Sequence, residues 1–158
     1  MKSDISQYFE LLDVYLWESQ LKRESSFSLM EDAECSVFEF MHQIESEEFE
    51  TIDEAGLAAT VLRTTVAVGT RNVDSTTRDQ DECKVFHSLI SKFVVDAKLI
   101  SDVPQDAKDA FATKNAIYIV WPYWRELVSN TFRAASLPAP IIPLYSHPSI
   151  TKSTIGKK

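Results

Sequence analysis

Glycine is nearly missing from this chain: Gly56, Gly69 and Gly156 are the only three in 158 residues. Loops that bring backbone N–H groups up to a phosphate need closely spaced glycines, so nucleotide enzymes built on such loops or on dinucleotide fingerprints are excluded. Cysteine is as scarce, with Cys35 and Cys83 alone, which excludes a disulfide scaffold. Met1-Lys2-Ser3-Asp4 leads into a polar-interrupted segment without a signal-peptide pattern, and a reducing cytoplasm is the expected location. The longest uncharged stretch, residues 134–151, contains Pro138, Pro140, Pro143 and Pro148. It cannot form a membrane helix, and no membrane insertion is expected. Basic residues are the minority sign, 16 Lys and Arg against 24 Asp and Glu for a net charge of −8. Phosphate neutralisation therefore starts at a disadvantage as a driver of binding, and no nucleic-acid partner is expected.

Signatures of catalysis are lacking too. There is no nucleophile elbow and no Cys-His signature around either cysteine. His87 follows Cys83 by four and would share its strand face, but Cys35 and His42 differ in parity, so four zinc ligands do not assemble. Carboxylates crowd into one segment: Glu31, Asp32, Glu34, Glu39, Glu45, Glu47, Glu48, Glu50, Asp53 and Glu54, with no Lys or Arg among them. Such a run reads as a solvated edge or loop. The expectation is a protein that is not an enzyme and uses no metal and no cofactor.

What the chain does contain is periodicity. From Tyr8 to Arg23, Leu12, Val14 and Leu16 fall on one face of an extended strand and Leu11, Tyr15, Trp17 and Leu21 on the other. Both faces are apolar, so a covering layer is expected from the same chain or a partner subunit. Residues 24–34 read as a connection. Ser36 to Glu50 alternates, with Phe38, Phe40, His42 and Ile44 on one face. Ile52 to Gly56 is a turn, Leu57 to Arg71 a third strand rich in Thr, Val and Leu, and Cys83 to Ile100 a fourth after a polar hairpin loop. Four successive strands with no helix between them predict an antiparallel meander.

The period then lengthens. Asp102 can cap a helix with Pro104 in its first turn, and Phe111, Tyr118, Trp121, Trp124, Val128 and Phe132 recur at helical spacing. Pro122 inside this helix removes the N–H that would reach the Tyr118 carbonyl, so a kink or break is expected there. After Ser136 the proline-spaced apolar run is extended and irregular. One domain over residues 1–145 is expected, with a basic, disordered tail at 146–158. One sheet and one helix cannot cover all the aromatic and aliphatic faces, which points to self-association and to binding of other chains.

The stretch Ile119-Val120-Trp121-Pro122-Tyr123-Trp124-Arg125-Glu126-Leu127-Val128, followed by Arg133 to Pro138, resembles the SecB chaperone family, whose helix runs apolar-Phe-Pro-Tyr-x-Arg-Glu and then Arg-Gly-x-Phe-Pro. Val14-Tyr15 and the run Val61 to Val66 are similar to family sequence at corresponding places. The resemblance implies an α+β fold: a four-stranded antiparallel sheet, a meander with a crossover loop after the first strand, and then a long proline-kinked amphipathic helix. It further implies an ATP-independent holdase that binds unfolded, aggregation-prone polypeptide in apolar grooves, assembled as a homotetramer that is a dimer of dimers. Groove residues carried over are Phe27, Leu29 and Met30 of the crossover, Phe38 and Phe40 of the second strand, and Leu137, Ile141, Ile142 and Leu144 after the helix. Leu12, Val14, Tyr15, Leu16, Phe111, Tyr118, Trp121 and Trp124 are expected at subunit interfaces. A contact to the export motor SecA is implied at Glu18, but Lys22 and Ser88 stand where further family acids are expected, so the chain departs from the SecA-docking pattern. Such a departure suits a relative dedicated to one client, such as the antitoxin of a toxin–antitoxin–chaperone system, over a general export chaperone or a domain without chaperone activity.

Overall fold

A computed structural model describes residues 5–145. The tail expected to be disordered, 146–158, lies outside the described residues. A single 3-10 turn (Ile5–Tyr8) leads into β1 (Phe9–Arg23), then a crossover carrying the one-turn helix α1 (Leu29–Asp32), then β2 (Ser36–Ile52), β3 (Ala58–Asp74) and β4 (Val85–Leu99). The helical part follows as α2 (Gln105–Ala110), a π-helical stretch (Phe111–Asn115) and α3 (Ala116–Ala134).

The sheet order is β1-β4-β3-β2. Only β2, β3 and β4 form a consecutive meander, and the crossover returns the chain so that β1 lies along β4. The crossover that the family resemblance implies is present, where the alternation by itself predicts only a plain meander. The pairing of β1 with β4 is antiparallel, as Ile100 N–H donating to the Tyr8 carbonyl (3.0 Å) and Glu24 N–H donating to the Phe86 carbonyl (2.9 Å) show at its two ends. β3 and β4 are the central strands and carry buried residues on both faces: Val61 and Leu62 are neighbours in β3, as are Phe93, Val94 and Val95 in β4. The edge strands β1 and β2 have few fully buried side chains.

Contacts group the chain into two compact units. One gathers the described residues up to Glu18, Gln43–Ala67 and Lys92–Tyr123; the other gathers Ser19–His42, Val68–Ser91 and the described residues from Trp124 onward. In the first, Phe111 stacks on Phe9 (4.4 Å between centroids), while Ala116, Ile117, Val120 and Trp121 are buried. Across the strands of this unit Arg63 makes two hydrogen bonds to Asp96, 2.8 and 2.7 Å, and its guanidinium lies over Phe49. In the second unit the buried helix residues are Trp124, Val128 and Phe132. Each such aromatic side chain contributes roughly 2–3 kcal/mol of hydrophobic stabilisation.

One local expectation is corrected. Asp102 does not cap the helix: α2 begins at Gln105 with Pro104 at the N-cap position and no side-chain cap bond. Proline fixes the extended backbone needed there and has no N–H to leave unsatisfied. Of the kink or break expected at Pro122, the break does not occur, since α3 runs from Ala116 to Ala134 with Pro122 inside it. The change of hydrogen-bond pattern falls earlier, in the π stretch at Phe111–Asn115.

Candidate functional site

The crossover after β1 is pinned before it can wander. Glu24 and Ser25 N–H groups both donate to the Phe86 carbonyl, and the Ser25 hydroxyl donates to the Val85 carbonyl (2.7 Å). Phe27 then packs edge-on against Phe86 (5.2 Å) and His87 (5.6 Å). The single turn of α1 is closed by its own side chain, Asp32 Oδ2 accepting from Ser28 N–H at 2.7 Å. With its backbone so tied, α1 holds Leu29 and Met30 outward, Met30 being 97% exposed.

The chain after α3 forms the other wall. Ser136 adopts a left-handed backbone (φ 54°), Leu137 N–H donates to the Phe132 carbonyl and Ser136 N–H to the Arg133 carbonyl. This is the paired closure of a Schellman helix end, which buries the following apolar residue, Leu137. Arg23, at the end of β1, donates from Nη2 to the Ala135 carbonyl. Between the walls lies a cleft of about 350 Å³ lined by Arg23, Phe27, Leu29, Ser136, Leu137 and Pro138.

Beside it is a cluster of rings. Phe132 meets His87 (5.4 Å) and Phe38 (6.0 Å), and Phe38 also meets His87 (6.1 Å). The His87 imidazole is buried, and among the described residues neither ring nitrogen has a hydrogen-bond partner. Burial first, and the nearby positive charge of Arg23 second, lower its pKa from 6.5 to about 4. It is a neutral imidazole serving as a core side chain.

The nine groove residues expected from the sequence all fall in the second unit. Phe27, Leu29 and Leu137 line the cleft. Met30, Ile141 and Leu144 are exposed, and Ile142 is buried. Phe38 and Phe40 are half-buried, Phe38 against the end of α3. Arg23, Ser136 and Pro138 were not among the expected residues. Alternation along β1 and the resemblance at Arg133 to Pro138 pointed near them, but no local pattern joins residues so far apart in the chain.

The expected interface residues divide. Leu12 and Leu16 are exposed, Val14 and Tyr15 half-buried, and Tyr118 exposed. Phe111, Trp121 and Trp124 are buried within the single chain. Glu18 pairs with Lys92 at 3.1 Å. Cys35 and His42 are exposed, and among the described residues no group of three or more His, Cys, Asp or Glu side chains is placed to hold a metal ion. No helix of the described residues is long and apolar enough to cross a membrane.

A sheet ordered β1-β4-β3-β2 with a crossover after β1, followed by a proline-containing helix, is the SecB-like fold. Among solved structures, the chain is similar to the Mycobacterium tuberculosis SecB-like chaperone Rv1957 in complex with a ChAD peptide from the Rv1956 HigA1 antitoxin. The TM-score is 0.57 and the identity 16%, with 91% of this chain and 95% of that chain covered. No family model matches the sequence, and no curated protein does. The likeness is therefore one of fold.

Proposed function

We propose that the protein is an ATP-independent holdase, a SecB-like chaperone that keeps a disordered, aggregation-prone client soluble, and that the client is a dedicated one such as an antitoxin. The observation that carries this reading is a cleft lined in part by Phe27, Leu29, Leu137 and Pro138, together with exposed Met30, Ile141 and Leu144 on the same two segments, on a SecB-like fold. Exposed apolar side chains suit clients that share only hydrophobic runs. The similarly folded chaperone is in complex with an antitoxin peptide, which supports the same client class here. Delivery of export precursors to SecA has less support, because Glu18 is already paired with Lys92.

The reading includes a homotetramer in the cytoplasm. β1 is an edge strand with Leu11, Leu12, Leu16 and Trp17 exposed, and such an edge is normally covered. Another copy of the chain would cover it.

The test is light scattering of a heat-unfolded reporter protein, without nucleotide, in the presence of the wild type, Leu29→Asp or Ile141→Asp. Both substitutions sit at exposed positions, so folding is retained and a circular dichroism melt checks it. Suppression by the wild type that is lost in both variants is the expected result. A wild type that never delays aggregation, or variants that suppress as well as it does, would sink the reading.

A further inference from the structure

We propose that the cleft selects client segments in which an acidic side chain lies within a residue or two of an aliphatic or aromatic anchor, and that Arg23 is the residue that reads the carboxylate. The proposal rests on the client-binding reading and adds a sequence preference to it.

Five of the six cleft-lining residues are uncharged, and Arg23 is the sixth. Its guanidinium is held in place by the Ala135 carbonyl, which occupies part of a planar fork of five N–H donors. Among the described residues no carboxylate pairs with it. Glu24, its neighbour in the chain, pairs with Lys22 at 3.1 Å, and Asp32 of α1 accepts from the Ser28 N–H. A cation without a counter-ion among the described residues, in a cleft it shares with Phe27, Leu29, Leu137 and Pro138, is complementary to a carboxylate carried next to an apolar side chain, and the guanidinium can bind both carboxylate oxygens at once. The location is telling because the chain as a whole has a net charge of −8. A client drawn by the general field would be basic, whereas Arg23 reverses that preference at one place.

The carboxylate is assigned to an Asp or Glu side chain within the client. Exposed Met30 follows cleft-lining Leu29 in the chain, and exposed Ile141 follows cleft-lining Pro138 on the segment after α3. A bound chain that uses these surfaces runs on past the cleft and does not end in it.

The test uses the full-length protein and fluorescein-labelled peptides of about twelve residues with amidated C-termini. Their central sequence is Leu-Trp-Asp-Leu, with Asn or Lys replacing Asp in two controls. Because Arg23 is solvent-exposed, the gain is modest: the Asp peptide should bind the wild type about three- to tenfold tighter than the Asn peptide, and the difference should shrink as salt is raised. Arg23→Gln should abolish the difference, Arg23→Lys should keep part of it, and Arg23→Glu should favour the Lys peptide. The peptide comparison on the wild type stands even if a variant loses stability with the Ala135 hydrogen bond. Equal binding of the Asp and Asn peptides would overturn the assignment of Arg23 while leaving the client cleft intact, which loss of both peptides in Leu29→Asp would establish separately. Tighter binding of a free-carboxylate peptide, with no effect of Asp, would overturn the side-chain assignment. Failure of every peptide to bind would bring down this proposal and the client reading together.

Discussion

The imidazole of His87 on β4 stands edge-on to the ring of Phe132 near the end of α3, centroids 5.4 Å apart, and it is neutral because burial and Arg23 disfavour its charged form. Above its ordinary pKa of 6.5, folded and unfolded chains are both neutral at this site. Between 6.5 and about 4 the unfolded chain takes up a proton that the folded one does not, so stability falls as the pH falls, by up to about 3 kcal/mol. Urea unfolding at about pH 7.5 and about pH 4.5 should show this loss in the wild type and a smaller one in His87→Leu. Equal pH dependence in the two proteins would mean that His87 is not the titrating group. Asp53 and Asp74 do not confuse the window. Their carboxyls are held below the ordinary value by hydrogen bonds, from Lys98 and from Thr76 respectively, and so act at lower pH.

Ser136 closes α3 with a φ of 54°, a conformation that a Cβ disfavours. Ser136→Gly should raise stability by about 0.5–1 kcal/mol, and Ser136→Val should lower it by a similar amount or more. The midpoint of thermal unfolding decides, and a Gly variant that melts below the wild type would contradict the assignment of strain to this residue.

Gly69 lies where β3 passes close under Met41. A Cβ added there would come within 2.9 Å of Met41 Cγ, 3.2 Å of its Sδ and 3.3 Å of the Leu89 carbonyl. Gly69→Ala is expected to cost about 1–2 kcal/mol. In a Met41→Ala background much of that cost should disappear, because the flexible thioether is the closer obstacle. A double-mutant cycle by chemical denaturation measures it. An additive result would place the strain at the Leu89 carbonyl.

Arg63 and Asp96 are bound by two hydrogen bonds across β3 and β4, with the Asp96 side chain largely shielded. Asp96→Ala leaves the guanidinium without its acceptor and should cost about 1–3 kcal/mol. Arg63→Leu together with Asp96→Ala should cost less than the two single changes added. Additivity in that cycle would mean that the pair does not couple.

Trp17 on the edge strand is 64% exposed. If a second copy covers β1, Leu16→Lys and Trp17→Lys should each lower the mass measured by light scattering at a given concentration while leaving the circular dichroism spectrum unchanged. A wild type that is monomeric at high concentration would remove the tetramer from the proposed function.

Much of the architecture was legible in the residues. The alternation in Phe38, Phe40, His42 and Ile44 marks β2, and the helical recurrence of Trp121, Trp124, Val128 and Phe132 marks the buried stripe of α3. The site was legible only in part. Leu29, Met30 and Ile141 were identified through the family resemblance and prove exposed, whereas Arg23 carried no signal, standing beside Lys22 at the end of a strand with both faces apolar. Phe38, grouped with the groove residues, is half-buried with its ring packed on Phe132.

By itself the sequence determined the elements, their order and the concentration of acid in residues 31–54, because side-chain period and charge are properties of neighbours along the chain. Tertiary structure decided the rest. It set β1 beside β4, buried Phe111, Trp121 and Trp124 within one chain, and brought Arg23 to Ala135 across 112 residues of sequence. Those outcomes depend on which distant surfaces meet, and a periodic pattern records only that a face is apolar, not what will cover it.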